Sequence, residues 1–349
     1  MHHPAGETAP DLAIGLVVIG RNEGERLRRC LASIDCAAHP VVYVDSGSTD
    51  GSVALAVGMG CSVVTLATPP GFSAARARNA GLTRLIQDVP DLAVVQFVDG
   101  DCTIAEGWLE TASAALRDQA DLAIVFGRRR EQRAEANIYH RACDREWAVP
   151  PGEVSSCGGD AMARVAALRS VGLYNPALIA GEEPDLCLRL RQRGWTIRCI
   201  DAPMTVHDVA IGAFGQWWRR SRRTGFAIAQ LVHMHGIAAE PSWRRYLVST
   251  MLWVAVMVAA LFCLLAAPAM SSAGFWFAGL VLIAGLAIQV LRLARRMPEA
   301  GRRPLRAVAD GGLVLVTKLA SLVGIVEFAV KQLRGRDHEL IEYKGSQAS

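Results

Sequence analysis

The sequence predicts an α/β fold with a Rossmann-like, doubly wound and mostly parallel sheet, followed by C-terminal transmembrane helices. Short apolar runs alternate with amphipathic stretches as far as about residue 210, which is typical of parallel strands joined by crossover helices. Polar loops rich in acids follow several of these runs, as expected where strand ends form a ligand site. Beyond Tyr246 long apolar runs dominate, in a chain that is 52% hydrophobic.

The predicted strands are continuous apolar runs with the length of buried parallel strands. They cover residues 13–19, 41–44, 61–66, 92–98, 121–126 and 196–200. Helices are predicted between them, over residues 25–33, 52–59, 73–86, 108–116 and 181–193. Asp50 is expected to cap the second of these helices. The region from Arg128 to Val154 shows no pattern that we can assign.

Composition and the absence of certain motifs disfavour several function classes. The formal net charge of +4 is too small to indicate a nucleic-acid partner, so we expect none. The nine cysteines form no Cys-x-x-Cys pair and no zinc spacing, which favours buried or free thiols in a reducing compartment. The sequence has no Gly-x-Gly-x-x-Gly and no Walker lysine loop, which disfavours a dinucleotide enzyme and a P-loop ATPase. We expect no cleaved signal peptide, because no basic segment precedes a signal-type apolar core.

Two aspartates, Asp99 and Asp101, end the predicted strand over residues 92–98. Residues i and i+2 of a strand point to the same side, so both carboxylates can face one point at the strand end. Hard divalent cations prefer such oxygen ligands together with substrate phosphates. An isolated Asp-Gly-Asp is more often a solvated turn, so the argument depends on the other loops.

Charged side chains in the neighbouring loops suit a nucleotide. Glu23 and Asp45 follow the first two predicted strands, where they can accept hydrogen bonds from a base or a ribose. Arg78, in the helix predicted over 73–86, is a planar cation suited to a phosphate. Each alone is more often a surface charge, but together at successive strand ends they favour a nucleotide site.

These motifs, in this order, resemble those of family 2 glycosyltransferases of the GT-A fold. The matching segments are Val18–Glu23, Val44–Asp50, Ala77–Gly81, Val98–Asp101 and Gly181–Leu186. The resemblance covers residues 12–210 and implies a fold and a reaction class, but it does not identify the sugar.

The resemblance also implies a role for each matched position. Glu23 and Asp45 would contact the nucleobase and ribose of a nucleotide-sugar, and Arg78 would lie near the base or the diphosphate. Asp99 would face the ribose. Asp101, with Asp99 beside it, would bind a divalent metal ion, Mg²⁺ or Mn²⁺, that bridges the two phosphates.

Two further assignments leave alternatives open. His207 occupies the place of an additional metal-side histidine in some relatives, although a lone histidine is more often structural. The family base is usually the Asp of a Glu-Asp pair, and Glu183 occupies that position here. Glu182 or Asp185 could act instead, and all three acids also suit the first turn of a helix.

The segment over residues 214–223 combines aromatic residues with arginines, as in a helix at an anionic membrane surface. Part of it resembles the Gln-x-x-Arg-Trp motif of processive family members, which would bind the acceptor. The residues concerned are Gln216, Trp217, Arg219 and Arg220. Arg220 replaces the final tryptophan, which argues against processive chain extension, and a plain interfacial helix is the alternative.

Two uncharged apolar runs, over residues 246–267 and 275–290, predict a transmembrane hairpin. Arginines flank both outer ends of the hairpin and none lies in its turn, which predicts a cytoplasmic catalytic domain. A third apolar segment, over residues 313–330, contains Lys318 and Glu327. Since charges inside a span are costly, we expect a re-entrant or in-plane helix there, with a third span as the alternative.

The chain is therefore expected to have five segments. They are an N-terminal arm (1–11), a GT-A domain (12–210), interfacial amphipathic helices (211–245), a transmembrane hairpin (246–293), and a basic loop, third membrane-associated helix and cytoplasmic tail (294–349). The expected location is the inner (cytoplasmic) membrane, as a multi-pass protein.

The predicted function is that of a membrane-anchored inverting glycosyltransferase. It would move a sugar from a nucleotide-sugar to a lipid-linked or membrane-proximal glycan acceptor in cell-envelope or exopolysaccharide biosynthesis. The alternatives are a polyprenyl-phosphate sugar synthase, whose acceptor is a phosphate, and a non-catalytic nucleotide-binding scaffold in the membrane.

Overall fold

The computed structural model describes residues 12–67, 71–297, 301 and 303–335. The expected N-terminal arm, Arg302 of the basic loop and the tail from Arg336 onward lie outside these residues. The described chain divides into two compact units. Unit 1 comprises residues 12–136 and 143–210, and unit 2 comprises residues 137–142 and 211–335.

Unit 1 contains one sheet of nine strands. They are β1 (Ile14–Gly20), β2 (Val41–Asp45), β3 (Ser62–Thr65), β4 (Val94–Asp99), β5 (Cys102–Ile104), β6 (Leu122–Glu131), β7 (Gly152–Glu153), β8 (Ala161–Arg164) and β9 (Thr196–His207). Their order is β3-β2-β1-β4-β8-β6-β9-β5, with β7 paired to β9.

One half of the sheet is parallel and the other half is mixed. Strands β3, β2, β1 and β4 pair in parallel, as the strand–helix alternation predicts. Strand β8 is antiparallel to both β4 and β6, whereas β6 and β9 are parallel. The predicted α/β fold is confirmed, but parallel pairing dominates only in the half that ends at Asp99. The antiparallel strands β5, β7 and β8 are two to four residues long, too short for a pattern in the sequence.

The helices of unit 1 alternate with the strands. They are α1 (Glu25–Ala32), α2 (Ser52–Gly58), α3 (Ala74–Asp88), α4 (Trp108–Asp118), α5 (Ile138–Glu146), α6 (Val165–Ser170) and α7 (Glu182–Gln192), with only the last residues of α5 in this unit. Asp50 accepts a hydrogen bond from Ser52 N (2.9 Å) at the start of α2, although Gly51 occupies the N-cap position. Ser73 caps α3 by accepting from Arg76 N.

Close packing of α3 on the parallel strands sets the position of the residues at the strand ends. Gly81 lies against Val17 of β1 and Val44 of β2, where an added Cβ would meet Val17 Cγ1 at 2.4 Å. Val17 and Val44 are fully buried. The helix can therefore approach the sheet closely at this position only with glycine.

Unit 2 is helical. Its long helices are α8 (Phe214–His235), α9 (Pro241–Ala269), α10 (Ala273–Arg295) and α11 (Pro304–Leu333). By length and composition α9, α10 and α11 could each cross a membrane. Helices α9 and α10 form an antiparallel hairpin, in which Gly279 lies against Cys263 and Leu264. The hairpin exposes large apolar side chains such as Phe277, which suits a lipid environment.

Helices α8 and α11 run parallel and in close contact. Trp217 Nε1 donates to Thr317 Oγ1 (3.1 Å), and the rings of Phe226 and Phe328 meet edge to face at 5.4 Å. Two glycines permit the approach: a Cβ on Gly225 would meet Ser321 O, and a Cβ on Gly324 would meet Arg222 O. Arg222 also pairs with Glu327, so this charged residue of the third apolar segment has a partner on α8.

Candidate active site

The parallel strands bring the predicted acids to one edge of the sheet. In the register of β1 with its neighbours, Gly20 is opposite Asp45 and Ile19 is opposite Asp99. Asp45 and Asp99 therefore end the two strands that flank β1, at nearly the same level. This is the edge where α/β sheets bind ligands.

Arg78 is the centre of a buried charge cluster at this edge. Its Nη1 donates to Glu182 Oε1 (3.0 Å) and Glu183 Oε1 (2.9 Å), and its Nη2 donates to Asp99 Oδ1 (3.0 Å). Burial alone would lower the pKa of Arg78, but the pKa is raised because Glu183 and Asp99 stabilise the charge. One guanidinium thus joins the end of β4 to the first turn of α7, a pairing that no sequence pattern indicates.

Glu183 has the protonation behaviour of a general base. Its side chain is 15% exposed, and burial together with the neighbouring Glu182 carboxylate raises its pKa to about 7. A base with a pKa near neutrality accepts a proton well and is still about half ionised near pH 7. Asp185, another predicted candidate, instead pairs with Arg189 at 2.7 Å within α7.

Asp101 and His207 form a second cluster beside Asp99. Asp101 Oδ2 is 3.2 Å from His207 Nε2, and both side chains are buried. Burial acts to lower the pKa of His207, but Asp101 raises it above its usual value. Burial likewise acts to raise the pKa of Asp99, but Arg78 and Arg129 outweigh that effect and lower it.

These donors fit a divalent cation. Asp101, Cys102 and His207 each offer an atom within 4.8 Å of the others, and so do Asp99, Cys102 and Asp160. Neighbouring ligands of an octahedral ion with bonds of about 2.1 Å are about 3 Å apart. The 3.2 Å separation of the Asp101 and His207 atoms is close to that value.

The sequence analysis missed two residues that hold Asp99 in place. Asp160, which is 1% exposed, accepts from Asp99 N (2.9 Å) and from Thr205 Oγ1 (2.8 Å). Arg129 lies 3.5 Å from Asp99 and 3.6 Å from Asp160, with its guanidinium over the Trp147 ring. The five small residues before Asp160, Ser-Ser-Cys-Gly-Gly at positions 155–159, were a usable signal, because small residues let a backbone approach other groups closely. In the structure, a Cβ on Gly159 would meet Arg78 Nη2 at 2.6 Å.

Residues 16–165 match the family model described as glycosyl transferase family 2. This segment of the chain is therefore similar to a family 2 glycosyltransferase domain. Two curated proteins, both named pre-mycofactocin glycosyltransferase and from two strains of Mycobacterium tuberculosis (CDC 1551 / Oshkosh and ATCC 25618 / H37Rv), are 29% identical over 255 residues. That alignment covers 68% of this chain and 51% of each relative, so the chain spans about half the length of these curated relatives.

Two solved structures share the fold of this glycosyltransferase domain. One is a mannosyltransferase, PcManGT from Pyrobaculum calidifontis, in complex with GDP-Man and Mn²⁺ (TM-score 0.52, 17% identity, 93% of this chain and 90% of that one). The other is GalNAc-T7 with UDP, GalNAc and Mn²⁺ (TM-score 0.50, 15% identity, 69% of this chain and 51% of that one). At these identities the likeness establishes the predicted GT-A fold and nothing finer.

The predicted nucleobase and ribose contacts of the glycosyltransferase domain lie at the ends of β1 and β2. Glu23 is 2.8 Å from Arg26, and Asp45 accepts from Gly47 N and Ser48 N, both at 3.0 Å. These backbone contacts hold the Asp45 carboxylate at the turn after β2. The assignment of both residues to a nucleotide remains a prediction.

The predicted acceptor residues lie on α8 in unit 2, where most of them make contacts within that unit. Gln216 Oε1 accepts from Gly212 N and Ala213 N at the start of the helix. Trp217 stacks on Tyr139 at 5.8 Å and lies beneath the Arg220 guanidinium. Arg219 is exposed. Their role in acceptor binding stays a prediction, since capping of α8 explains the contacts of Gln216 and helix packing explains those of Trp217.

Proposed function

We propose that this chain is a membrane-anchored inverting glycosyltransferase that transfers a sugar from a nucleotide-sugar to an acceptor hydroxyl. The observation that carries the proposal is Glu183: a carboxylate with a pKa of about 7, held 2.9 Å from Arg78, which also pairs with Asp99. The family match and the three apolar helices agree with it. We further propose a lipid-linked or membrane-proximal glycan acceptor, in cell-envelope or exopolysaccharide biosynthesis.

In the proposed reaction each residue of the site has a separate role. The acceptor hydroxyl oxygen attacks the anomeric carbon and forms the new glycosidic bond, while Glu183 takes the hydroxyl proton. The bond from the anomeric carbon to the diphosphate oxygen breaks, and the nucleoside diphosphate leaves with the electron pair. A single displacement of this kind inverts the anomeric centre. Arg78 donates to both Glu183 and Asp99, so it fixes the distance between the base and the carboxylate on the donor side.

Asp101, His207 and Asp99 would hold the divalent cation, Mg²⁺ or Mn²⁺. When bound, such an ion neutralises the charge that develops on the departing diphosphate. The chain's own contribution is to bury Asp101 and His207 and to restrain Asp99 through Asp160 and Arg129.

We place the glycosyltransferase domain on the cytoplasmic side of the inner membrane. Arg244 and Arg245 lie in the first turns of α9, and α10 ends at Arg295. The turn between these helices, residues 270–272, carries no charge. This asymmetry favours a hairpin whose open end is cytoplasmic.

We also propose that α11 lies along the cytoplasmic end of this hairpin instead of crossing the membrane. Gly311 approaches Val290 and Ala294 near the end of α10, and Ser321 Oγ is 2.7 Å from Tyr246 Oη near the start of α9. In an antiparallel hairpin those two places are the same end. Residues ten apart span about 15 Å of helix, so a crossing helix would put them at clearly different depths.

The first test is release of nucleoside diphosphate by the purified full chain, with a panel of nucleotide-sugars, Mg²⁺ or Mn²⁺, and extracted membrane lipids. We expect release from one donor that a lipid fraction stimulates and a chelator stops. Glu183→Gln is expected to lower transfer by at least about 100-fold, as loss of a general base does. Asp101→Ala is expected to lower transfer to a similar extent, because it removes a proposed ligand of the cation that neutralises the leaving diphosphate. Glu110→Gln, on the exposed surface of α4, is the matched control and is expected to keep full activity.

The outcomes separate the alternatives. Full activity in Asp101→Ala would remove its role as a metal ligand. Retained transfer in Glu183→Gln would instead support a polyprenyl-phosphate sugar synthase, because a phosphate acceptor needs no base. Nucleotide binding without release of nucleoside diphosphate from any donor would support the non-catalytic membrane scaffold.

A further inference from the structure

His207 lies between two carboxylates, one at the end of the neighbouring strand β6 and one in the turn just before the neighbouring strand β5. In the sheet β9 is flanked by β5 and β6, and His207 is directly opposite Cys102 on one side and Glu131 on the other. Side chains that are directly opposite each other point to the same face of a sheet. Asp101, which precedes Cys102, meets Nε2 of the imidazole at 3.2 Å, and Glu131 Oε2 lies 3.5 Å from Nδ1.

Backbone N–H groups hold the Glu131 carboxylate in that position. Its side chain is fully buried, although it is the last residue of a strand whose end is rich in arginine. Val209 N donates to Glu131 Oε2 (3.1 Å) and Arg133 N donates to Glu131 Oε1 (3.3 Å). A backbone bond from Gln132 N to His207 O (2.8 Å) locks the two strand ends together. The carboxylate therefore accepts from fixed backbone donors while it faces the imidazole.

Trp147 restrains the imidazole from a third direction. Its ring centroid is 4.7 Å from that of His207, at an interplanar angle of 72°. The other neighbour of this indole is the Arg129 guanidinium, at 4.7 Å. With Asp101, Glu131 and Trp147 around it, the imidazole has little freedom to rotate.

We infer that Glu131 is a positioning residue for His207: it accepts the Nδ1 proton and so presents an unprotonated Nε2 beside Asp101 to a divalent cation. A neutral imidazole carries one proton, and both ring nitrogens of His207 face a carboxylate. When a cation takes Asp101 and Nε2, Glu131 keeps that proton on Nδ1. The other nitrogen then has its lone pair free for a metal ion. This inference rests on the proposed metal site, and it assigns a function to a buried glutamate that the transfer reaction itself does not use.

The test measures Mn²⁺ affinity of the full chain in detergent, by titration calorimetry, with no donor or acceptor present. Glu131→Gln keeps the shape of the side chain but replaces the charged acceptor with an amide. We expect its Mn²⁺ affinity to fall by about 10- to 100-fold, the usual effect of losing a carboxylate behind a histidine ligand. Glu110→Gln serves as the matched surface control, with unchanged affinity expected.

A second readout uses saturating Mg²⁺, which is diamagnetic, because in the absence of a cation Asp101 can also hold the proton on Nε2. With histidines selectively labelled with ¹⁵N and the pH above the His207 pKa, NMR reports which ring nitrogen carries the proton. We expect the Nδ1–H tautomer in the wild-type chain and a shift towards the Nε2–H tautomer in Glu131→Gln. His207→Ala identifies the resonance.

These readouts distinguish failure of this inference from failure of the proposed function. Unchanged Mn²⁺ affinity in Glu131→Gln, or an Nε2–H tautomer in the wild-type chain with saturating Mg²⁺, overturns the inference even if the enzyme transfers sugar. Should Glu131→Gln not fold, Glu131→Asp is the second variant. It keeps a negative charge near the backbone donors, but its side chain is one methylene shorter, so the carboxylate lies farther from Nδ1. That variant must still bind Mn²⁺ more weakly than the wild-type chain, and equal affinity overturns the inference.

Discussion

At the scale of single residues, the site is organised by one buried cation. Arg78 is 2% exposed and contacts three carboxylates, from β4 and from the first turn of α7. A buried guanidinium is stable only when it is paired, and a cluster of acids would repel without it. The charge of Arg78 therefore allows two carboxylates from distant parts of the chain, Asp99 and Glu183, to lie close together.

The pH dependence of transfer follows from Glu183. Its pKa is raised to about 7, and the ionised form is the base. Lowering the pH protonates the base, so kcat/KM is expected to fall about tenfold per pH unit below pH 7 and to level off above it. The measurement is a pH profile of kcat/KM with a saturating divalent cation.

A residue-level control tests the origin of that profile. Removing the neighbouring charge with Glu182→Gln takes away one cause of the raised pKa, so the acid limb is expected to move to lower pH. An acid limb near pH 4.5, the ordinary value for glutamate, in the wild-type chain would contradict this explanation.

At the scale of secondary-structure elements, the contact between α8 and α11 depends on glycine. Gly225 lies against the backbone of Ser321, and Gly324 lies against the backbone of Arg222. Backbone atoms cannot move aside as the end of a flexible side chain can. The two helices must separate if either glycine gains a side chain.

We therefore predict opposite effects for two identical changes on α11. Gly324→Ala places a Cβ against Arg222 O and is expected to destabilise unit 2 by about 1–3 kcal/mol, as overpacking does. Gly312→Ala has no atom within 4 Å of the new Cβ and is expected to be neutral or to stabilise the helix by up to about 1 kcal/mol. Thermal unfolding of the full chain in detergent measures both, and equal effects would argue against the close contact.

At the scale of the whole molecule, the two units have different physical character. Unit 1 has a mixed sheet with buried apolar strands, as in a water-soluble domain. Unit 2 exposes Phe262, Leu265 and Phe277 on its hairpin, an arrangement that is stable only when lipid or another apolar surface covers it. Three of its helices are long and apolar enough to span a bilayer, and the surface position of α11 is our proposal.

The orientation of α11 decides on which side of the membrane the tail lies. With α11 along the cytoplasmic end of the hairpin, an epitope added after Ser349 is expected to be cleaved by protease in inverted vesicles, which expose the cytoplasmic face. An epitope inserted in the turn at residues 270–272 should be protected in the same vesicles. A protected epitope after Ser349 would mean that α11 crosses the membrane.

The sequence alone predicted much of the architecture. Strands β1 to β4, β6 and β9, and helices α1 to α4 and α7, form where apolar runs and helical periodicity predict them. Strands β6 and β9 run on to Glu131 and His207, beyond their apolar runs, because a strand end needs only backbone pairing and no apolar side chains. For the same reason the short strands β5 and β8 went unpredicted.

What the sequence by itself determined about this protein is the set of groups that local pattern places at strand ends: Asp45, Asp99 and Asp101. What only the tertiary structure decided is which of these groups meet. Arg78 contacts Glu183 across 105 positions and His207 contacts Glu131 across 76, and no periodicity reaches that far along a chain. Asp160, Arg129 and Glu131 were missed because a buried charge looks like a surface charge in sequence, and only packing determines which one it is.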